Sequence, residues 1–216
     1  MDRSLIIAID GTFASGKGTL ARRLAAHYGL AHLDTGKLYR AVARDLLAQG
    51  GDPGNAEAAA AVAARIDATT LDDPVLKSGS MGAAASKVSV HSPVRDALRQ
   101  YQRDFAANSD EGGAVLDGRD IGTVICPDAQ VKLFVDADPG VRARRRFEEL
   151  RGYGEAVTYD GVLEALRERD HRDMNRAVAP LKPAADAHLL DTSDLSIDAA
   201  VSAAMSIIDG ALSAKA

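Results

Sequence analysis

The sequence predicts an α/β fold: a parallel sheet with helices on both faces, a mainly helical insertion and a short lid. Three observations carry that expectation. Short apolar runs recur along the chain with long helical stretches between them, the alternation of crossover units. The first run ends in a glycine-rich turn holding one lysine. One stretch, 36–113, breaks the alternation with alanine-rich and loop-like segments and no strong strand signal.

The first element is Leu5, Ile6, Ile7, Ala8 and Ile9, apolar on both sides as a strand inside a parallel sheet must be. Residues 11–16 form the turn, and Lys17 opens a helix whose unpaired N–H groups and positive dipole end favour an anion. Gly11-x-x-x-x-Gly16-Lys17 fits the phosphate-binding P-loop pattern up to its last position, where Gly18 stands and the hydroxyl follows at Thr19. The expected contacts of a nucleotide's phosphates are therefore Gly11, Thr12, Phe13, Ala14, Ser15, Gly16, Lys17, Gly18 and Thr19. A chance Gly-Lys pair in an ordinary turn is the alternative. The strand before and the helix after argue against it.

Further strands are expected at 31–33, 114–116, 131–135 and 187–190. The helix from Lys17 presents Leu20, Leu24 and Tyr28 at helical spacing. Another opens at Asp138-Pro139, an N-cap followed by proline at the first helical position, and others run over 158–175 and 196–212. The expected organisation is one domain with a core of 1–35, 114–147 and 176–216. It carries the helical insertion 36–113 and a lid over about 148–175. Within the lid, the glycine-containing stretch 151–159 reads as a mobile hairpin.

Composition narrows the class. The chain has 216 residues, 46% of them hydrophobic, enough for a substantial core. Its 26 basic and 31 acidic side chains leave a net charge of −5, which disfavours binding nucleic acid by bulk electrostatics. The single cysteine, Cys126, permits no internal disulfide and reads as structural. No apolar run is long enough for a membrane span, and the N-terminal stretch lacks a signal-peptide pattern. A cytoplasmic monomer is expected.

Three clusters accompany the phosphate loop. Asp34-Thr35-Gly36 with Tyr39-Arg40 follows the second strand, where open α/β sheets bind ligands. Asp117-Gly118-Arg119-Asp120 follows the third. The last comprises Arg142, Arg144, Arg145 and Arg146, then Arg169, Arg172, Asp173 and Arg176. Arg142, Arg145 and Arg146 fall at i, i+3, i+4, and Arg169, Asp173 and Arg176 at i, i+4, i+7, so each set shares a helix face. Converging guanidinium groups suit a transferring phosphoryl group, although 142–146 alone could be a solvated basic face. Asp34 could be no more than an N-cap. Asp117 could be a turn residue, or with Thr19 it could steady Mg²⁺.

No general base stands out, and the five histidines read as structural. A hydroxyl acceptor would often want a carboxylate to take its proton. A phosphate monoester, with its second pKa at roughly 6, is already mostly dianionic at neutral pH. Surplus arginine without a base therefore favours an acceptor that is itself a phosphate.

The runs IAIDGTFASGKGT, LDTGKLYRAVA, ASKVSVHSPVR, VLDGRDIGTVICPDA, VRARRRFEEL and RERDHRDMNRAVAPLKPAADAHLLDT, in that order over almost the whole chain, resemble the bacterial cytidylate kinase family. The resemblance implies a nucleoside-monophosphate-kinase fold and Mg²⁺-assisted transfer of the γ-phosphoryl of ATP to CMP and dCMP. It places Arg40, Arg119 and Arg176 on the acceptor phosphate, with Thr35 in the same site. It turns Ser86, Arg95 and Asp120 to the cytosine and Asp173 to the sugar. Arg169 would reach the phosphates as the lid closes, alongside Arg142, Arg145 and Arg146, so that the catalytic set is Lys17, Arg119, Arg145, Arg169 and Arg176. The chemistry agrees: a carboxylate accepts from the N4 amine of cytosine but would face a carbonyl in uracil.

The chain departs from the family pattern twice. Phe13 stands where a small residue or proline is usual, with an effect expected on packing rather than phosphate binding. The insertion is short and shows no strands, where family members often carry a small sheet. A kinase for another acceptor, or a P-loop switch that hydrolyses nucleotide, remains the rival reading of the motifs.

Overall fold

Each apolar run becomes a strand of one wholly parallel sheet in the computed structural model, which describes residues 4–109 and 112–214. The strands are β1 (Leu5–Gly11), β2 (Ala31–Asp34), β3 (Gly113–Gly118), β4 (Val131–Asp136) and β5 (His188–Asp191), in the order β2-β3-β1-β4-β5. β1 lies at the centre, with Ile7 in register with Val115 on one side and Val131 on the other. The helices are α1 (Lys17–Tyr28), α2 (Thr35–Ala48), α3 (Ala56–Ala63), α4 (Gly79–Val88), α5 (Ser92–Ala107), α6 (Pro139–Gly152), α7 (Tyr159–Asn175) and α8 (Ile197–Ser213). Their starts follow the capping signals: Asp138 accepts from the N–H groups of Gly140 and Val141, Thr158 from Gly161 and Ser196 from Ala199. Among the described residues from 35 to 109 there is no strand.

Alternation along β1 builds a core on each face. Ile7 and Ile9 join Leu20, Leu24, Val201 and Ile208 of α1 and α8. Ala8 belongs to the opposite cluster, which runs through Leu38 and Val42 of α2 to Val88, Val94 and Leu98 of α4 and α5. A third, smaller cluster, Ala143, Leu150, Val162 and Leu166, holds α6 against α7.

Because the strands are parallel, the loops after β1, β2 and β3 open on one edge. β1 is followed in sequence by β2 but in space by β4 on its far side, so this edge holds the topological switch point. The loop after β3 turns through a single π-helical turn, Ile121–Ile125. Asp10 fixes it by accepting from Ile121 N at 2.7 Å and Gly122 N at 2.8 Å. Burial pushes the Asp10 carboxyl up to about 7, against these two hydrogen bonds. No helix among the described residues is long and apolar enough to cross a membrane.

Candidate active site

The loop leaving β1 is pressed against β4: a Cβ on Gly11 would stand 2.0 Å from the Val135 carbonyl oxygen. Thr12 ties it down, donating from Oγ1 to Asp136 at 2.5 Å. Two residues take left-handed backbone, Gly16 at φ 87° and Ala14 at φ 61°. The second is strained, of order 1 kcal/mol, a kind of strain that clusters at functional sites. Lys17 lies buried beneath the loop and donates from Nζ to Thr12 O at 3.0 Å. Burial lowers its pKa to about 7, and the positive charge of Arg119 adds to the effect.

A cavity of about 790 Å³ runs from this loop past Asp34, Thr35 and Arg40 to Arg95 and Asp120. Ten lysines and arginines line it against seven aspartates and glutamates, in a chain that is acidic overall. At the far end Arg95 donates through Nη2 to Asp120, and through Nη1 to Ser89 O at 3.3 Å. Both side chains are buried, and the Arg95 guanidinium stands 5.7 Å from the centre of the Tyr39 ring. Arg119 donates to Asp173 at 2.9 Å, and that pair, with Arg169, holds the Asp173 carboxyl below its ordinary range against the opposing effect of burial. Thr35 donates its hydroxyl to Asp117 O at 2.8 Å. Among the described residues two buried guanidinium donors have no hydrogen-bond partner, Arg169 Nε and Arg176 Nη2, each with a carboxylate oxygen 3.9 Å away, of Asp173 and Asp120. Such groups are costly unless something satisfies them, and both residues line the cavity.

Helices α6 and α7 and their connection line this cavity and contact α4. Glu155, in the connection between α6 and α7, accepts from Gly79 N at 2.8 Å; Arg169 donates to Gly82 O at 3.2 Å. On the other side of the phosphate loop a second cavity of about 240 Å³ is lined by Leu20, Arg145, Thr192, Leu195, Ile197 and Ala200. The two cavities share Gly16 and Thr19.

The side chains that could hold a divalent cation line the main cavity beside the loop. Asp34 and Asp117 flank the loop; Asp117 is held above its ordinary carboxylate range by burial and then by the charge of Asp34. Among the described residues no three metal-ligating side chains cluster, so the ion would rest on one or two carboxylates, exposed Thr19 and the phosphates themselves.

Several of the expected residues lie away from the main cavity or make other contacts in this structure. Arg145, expected beside the transferring phosphate, turns to the smaller cavity and donates to Thr192 Oγ1 at 3.2 Å and Thr192 O at 2.6 Å. Arg142 is buried as a tie, donating to Ala137 O, Phe13 O and Asp170. Residues 145 and 146 differ by about 100° around the helix, so only Arg146 faces the main cavity. Ser86 is buried and accepts from Arg172 Nε at 3.3 Å, while Ser89, three residues on at the end of α4, lines the cavity. Arg176 stands one residue past α7, in extended backbone. His32, expected to be structural, lines the cavity and shares a 2.8 Å hydrogen bond with Asp117. Thr192, Leu195 and Ile197 carried no motif; the signal for Thr192 was its place just after a parallel strand. Cys126 is a free thiol that burial pushes up to about 11, in keeping with a structural role.

A phosphate loop at the switch point of a parallel sheet, facing a second arginine-lined site under a helical roof, defines a phosphotransferase of the P-loop class. The fold agrees with the crystal structure of shikimate kinase from Bacteroides thetaiotaomicron, which is 12% identical with a TM-score of 0.52 over 95% of this chain and 98% of that one. The family model for cytidylate kinase matches residues 7–210. The cytidylate kinase of Afipia carboxidovorans is 59% identical over 96% of this chain and 98% of its own length. That of Brucella suis biovar 1 is 55% identical over 96% and 94%. The chain belongs to the cytidylate kinase family.

Proposed function

We propose that the protein transfers the γ-phosphoryl group of ATP to CMP and dCMP, giving ADP with CDP or dCDP. The observation that carries this reading is the pair of buried guanidinium donors without a hydrogen bond, Arg169 Nε and Arg176 Nη2, on residues lining a cavity that runs from the phosphate loop to the Arg95–Asp120 pair. Family membership points to the same acceptor.

The loop amides, the N-terminus of α1 and Lys17 hold the donor phosphates. The smaller cavity, lined by apolar and hydroxyl side chains and one guanidinium, takes the donor's base and ribose, with Arg145 on that side. Arg40, Arg119 and Arg176 hold the acceptor phosphate, with Thr35 fixing the end of β2 beside them. Asp120 accepts from the cytosine N4 amine, Arg95 donates to its acceptors, and Asp173 orients Arg119 next to the sugar. The acceptor phosphate is already ionised, so no proton must be removed before attack. The chain supplies alignment, exclusion of water and charge neutralisation, with Lys17, Arg119, Arg169 and Arg176 around the reacting group. Thr19 and Asp117 would help to hold a Mg²⁺ ion brought with ATP, which would supply charge neutralisation at the phosphates.

The test is ADP release across a panel of CMP, dCMP, UMP, AMP and no acceptor. Turnover should be fastest with the two cytidylates and near zero without an acceptor. Equal turnover with AMP would overturn the assignment of the acceptor, and acceptor-independent hydrolysis would mark a nucleotide switch instead.

A further inference from the structure

We infer that Phe13, on the phosphate loop, is a positioning residue whose ring face holds the lid arginine Arg169 over the reacting phosphates. The Arg169 guanidinium carbon stands 4.1 Å from the ring centroid and that of Arg146 5.6 Å. Phe13 is half-buried, lines the cavity and packs on the cluster that joins α6 to α7. Its carbonyl also receives a hydrogen bond from Arg142 at 3.1 Å, so both backbone and ring tie the donor loop to the lid.

Arg169 is otherwise thinly held. Nη1 donates to Gly82 O at 3.2 Å, the Asp173 carboxylate lies 3.9 Å from Nε, and Nε itself is buried without a hydrogen bond. Its neighbours Arg119, Arg40 and Arg146 are cations, which makes its position electrostatically unfavourable. A closer carboxylate would fix the guanidinium but would also neutralise it and occupy the donors that an anion needs. An aromatic face stabilises the cation through its quadrupole and leaves the N–H edge free in the guanidinium plane. The ring stands on the loop that grips the donor, so lid arginine and donor phosphates share one platform.

This inference rests on the proposed role of Arg169 at the phosphates, and the test separates the two. Steady-state kinetics of F13L, F13Y and R169A would be measured with thermal melting. F13L keeps the apolar volume but not the quadrupole, so kcat should fall about tenfold, with both KM values within about twofold and melting close to that of the parent. F13Y should recover most of that loss. In the parent protein the Arg169 side-chain protons should resonate upfield from the ring current, a shift kept in F13Y and lost in F13L. An unchanged kcat in F13L, an F13Y as impaired as F13L, or unshifted Arg169 protons in the parent would each overturn the role of Phe13. Parent-like activity of R169A would overturn the underlying reading of Arg169 instead.

Discussion

Arg95 and Asp120 meet at the closed end of the cavity as a buried ion pair that joins α5 to the loop after β3. Each is 5% exposed, so the charges are mutually dependent: removing one strands the other in a low-dielectric setting. For the substitution Asp120→Ala, kcat/KM for CMP should fall about a hundredfold or more, because the cytosine amine loses its acceptor and Arg95 its partner. Turnover of UMP should change far less. Equal losses for the two acceptors, in the ADP-release assay, would remove Asp120 from base recognition.

Lys17 is lowered to about 7, so in the free protein it is mostly neutral at pH 8. Phosphate favours the charged form and raises the pKa again. ATP binding at pH 8 should therefore take up close to one proton, and affinity should weaken as pH rises through 7 to 9. Calorimetry in buffers of different ionisation enthalpy measures the uptake. Lys17→Met should abolish it while lowering kcat/KM by several orders of magnitude. Wild-type uptake in that variant would assign the proton to another group.

Arg142 and Arg145 occupy neighbouring turns of α6 but should fail in different ways. Arg142→Ala leaves Asp170 unpaired and strips donors from the Phe13 and Ala137 carbonyls, so stability should drop by about 3–5 kcal/mol in chemical denaturation. Arg145→Ala should stay within about 1 kcal/mol of the parent. It should raise KM for ATP several-fold and leave KM for CMP unchanged. A rise confined to CMP would return Arg145 to the acceptor side.

Glu155 closes the roof by accepting from the first residue of α4. Glu155→Ala should raise hydrogen exchange across residues 153–158 and increase ATP hydrolysis without acceptor, about two- to fivefold, because water enters an incompletely covered site. Exchange unchanged from the parent would mean that this contact does not hold the lid down.

How far the molecule could be read in advance followed from how local each signal was. β1 and its loop were legible because a buried strand, a glycine turn and a lysine are contiguous, and Arg119 and Asp120 because they follow a strand end directly. The parting of Arg145 from Arg146 was not, since spacing names a broad helix face but not which half of it meets the cavity. Ser86 and Ser89 are three residues apart, and only the end of α4 at Val88 decides which hydroxyl faces inward. His32 sits on a strand of four residues, too short to show alternation, so its contact with Asp117 needed the β2–β3 pairing. The smaller cavity is built from ordinary apolar and hydroxyl residues, which have no pattern until β5 and α8 close around them.

The buried cluster that links the sheet to the acceptor-side helices sets where this molecule can give way. Swinging α4 and α5 outward would bring Val88, Val94 and Leu98 out of contact with water-free neighbours, at roughly 1.5–3 kcal/mol for each large side chain. The α6–α7 pair rests on four buried side chains of its own and touches the loop through Phe13 and Ala14. The α6–α7 pair is therefore held to the phosphate loop by a far smaller apolar contact than the one that holds α4 and α5 to the sheet.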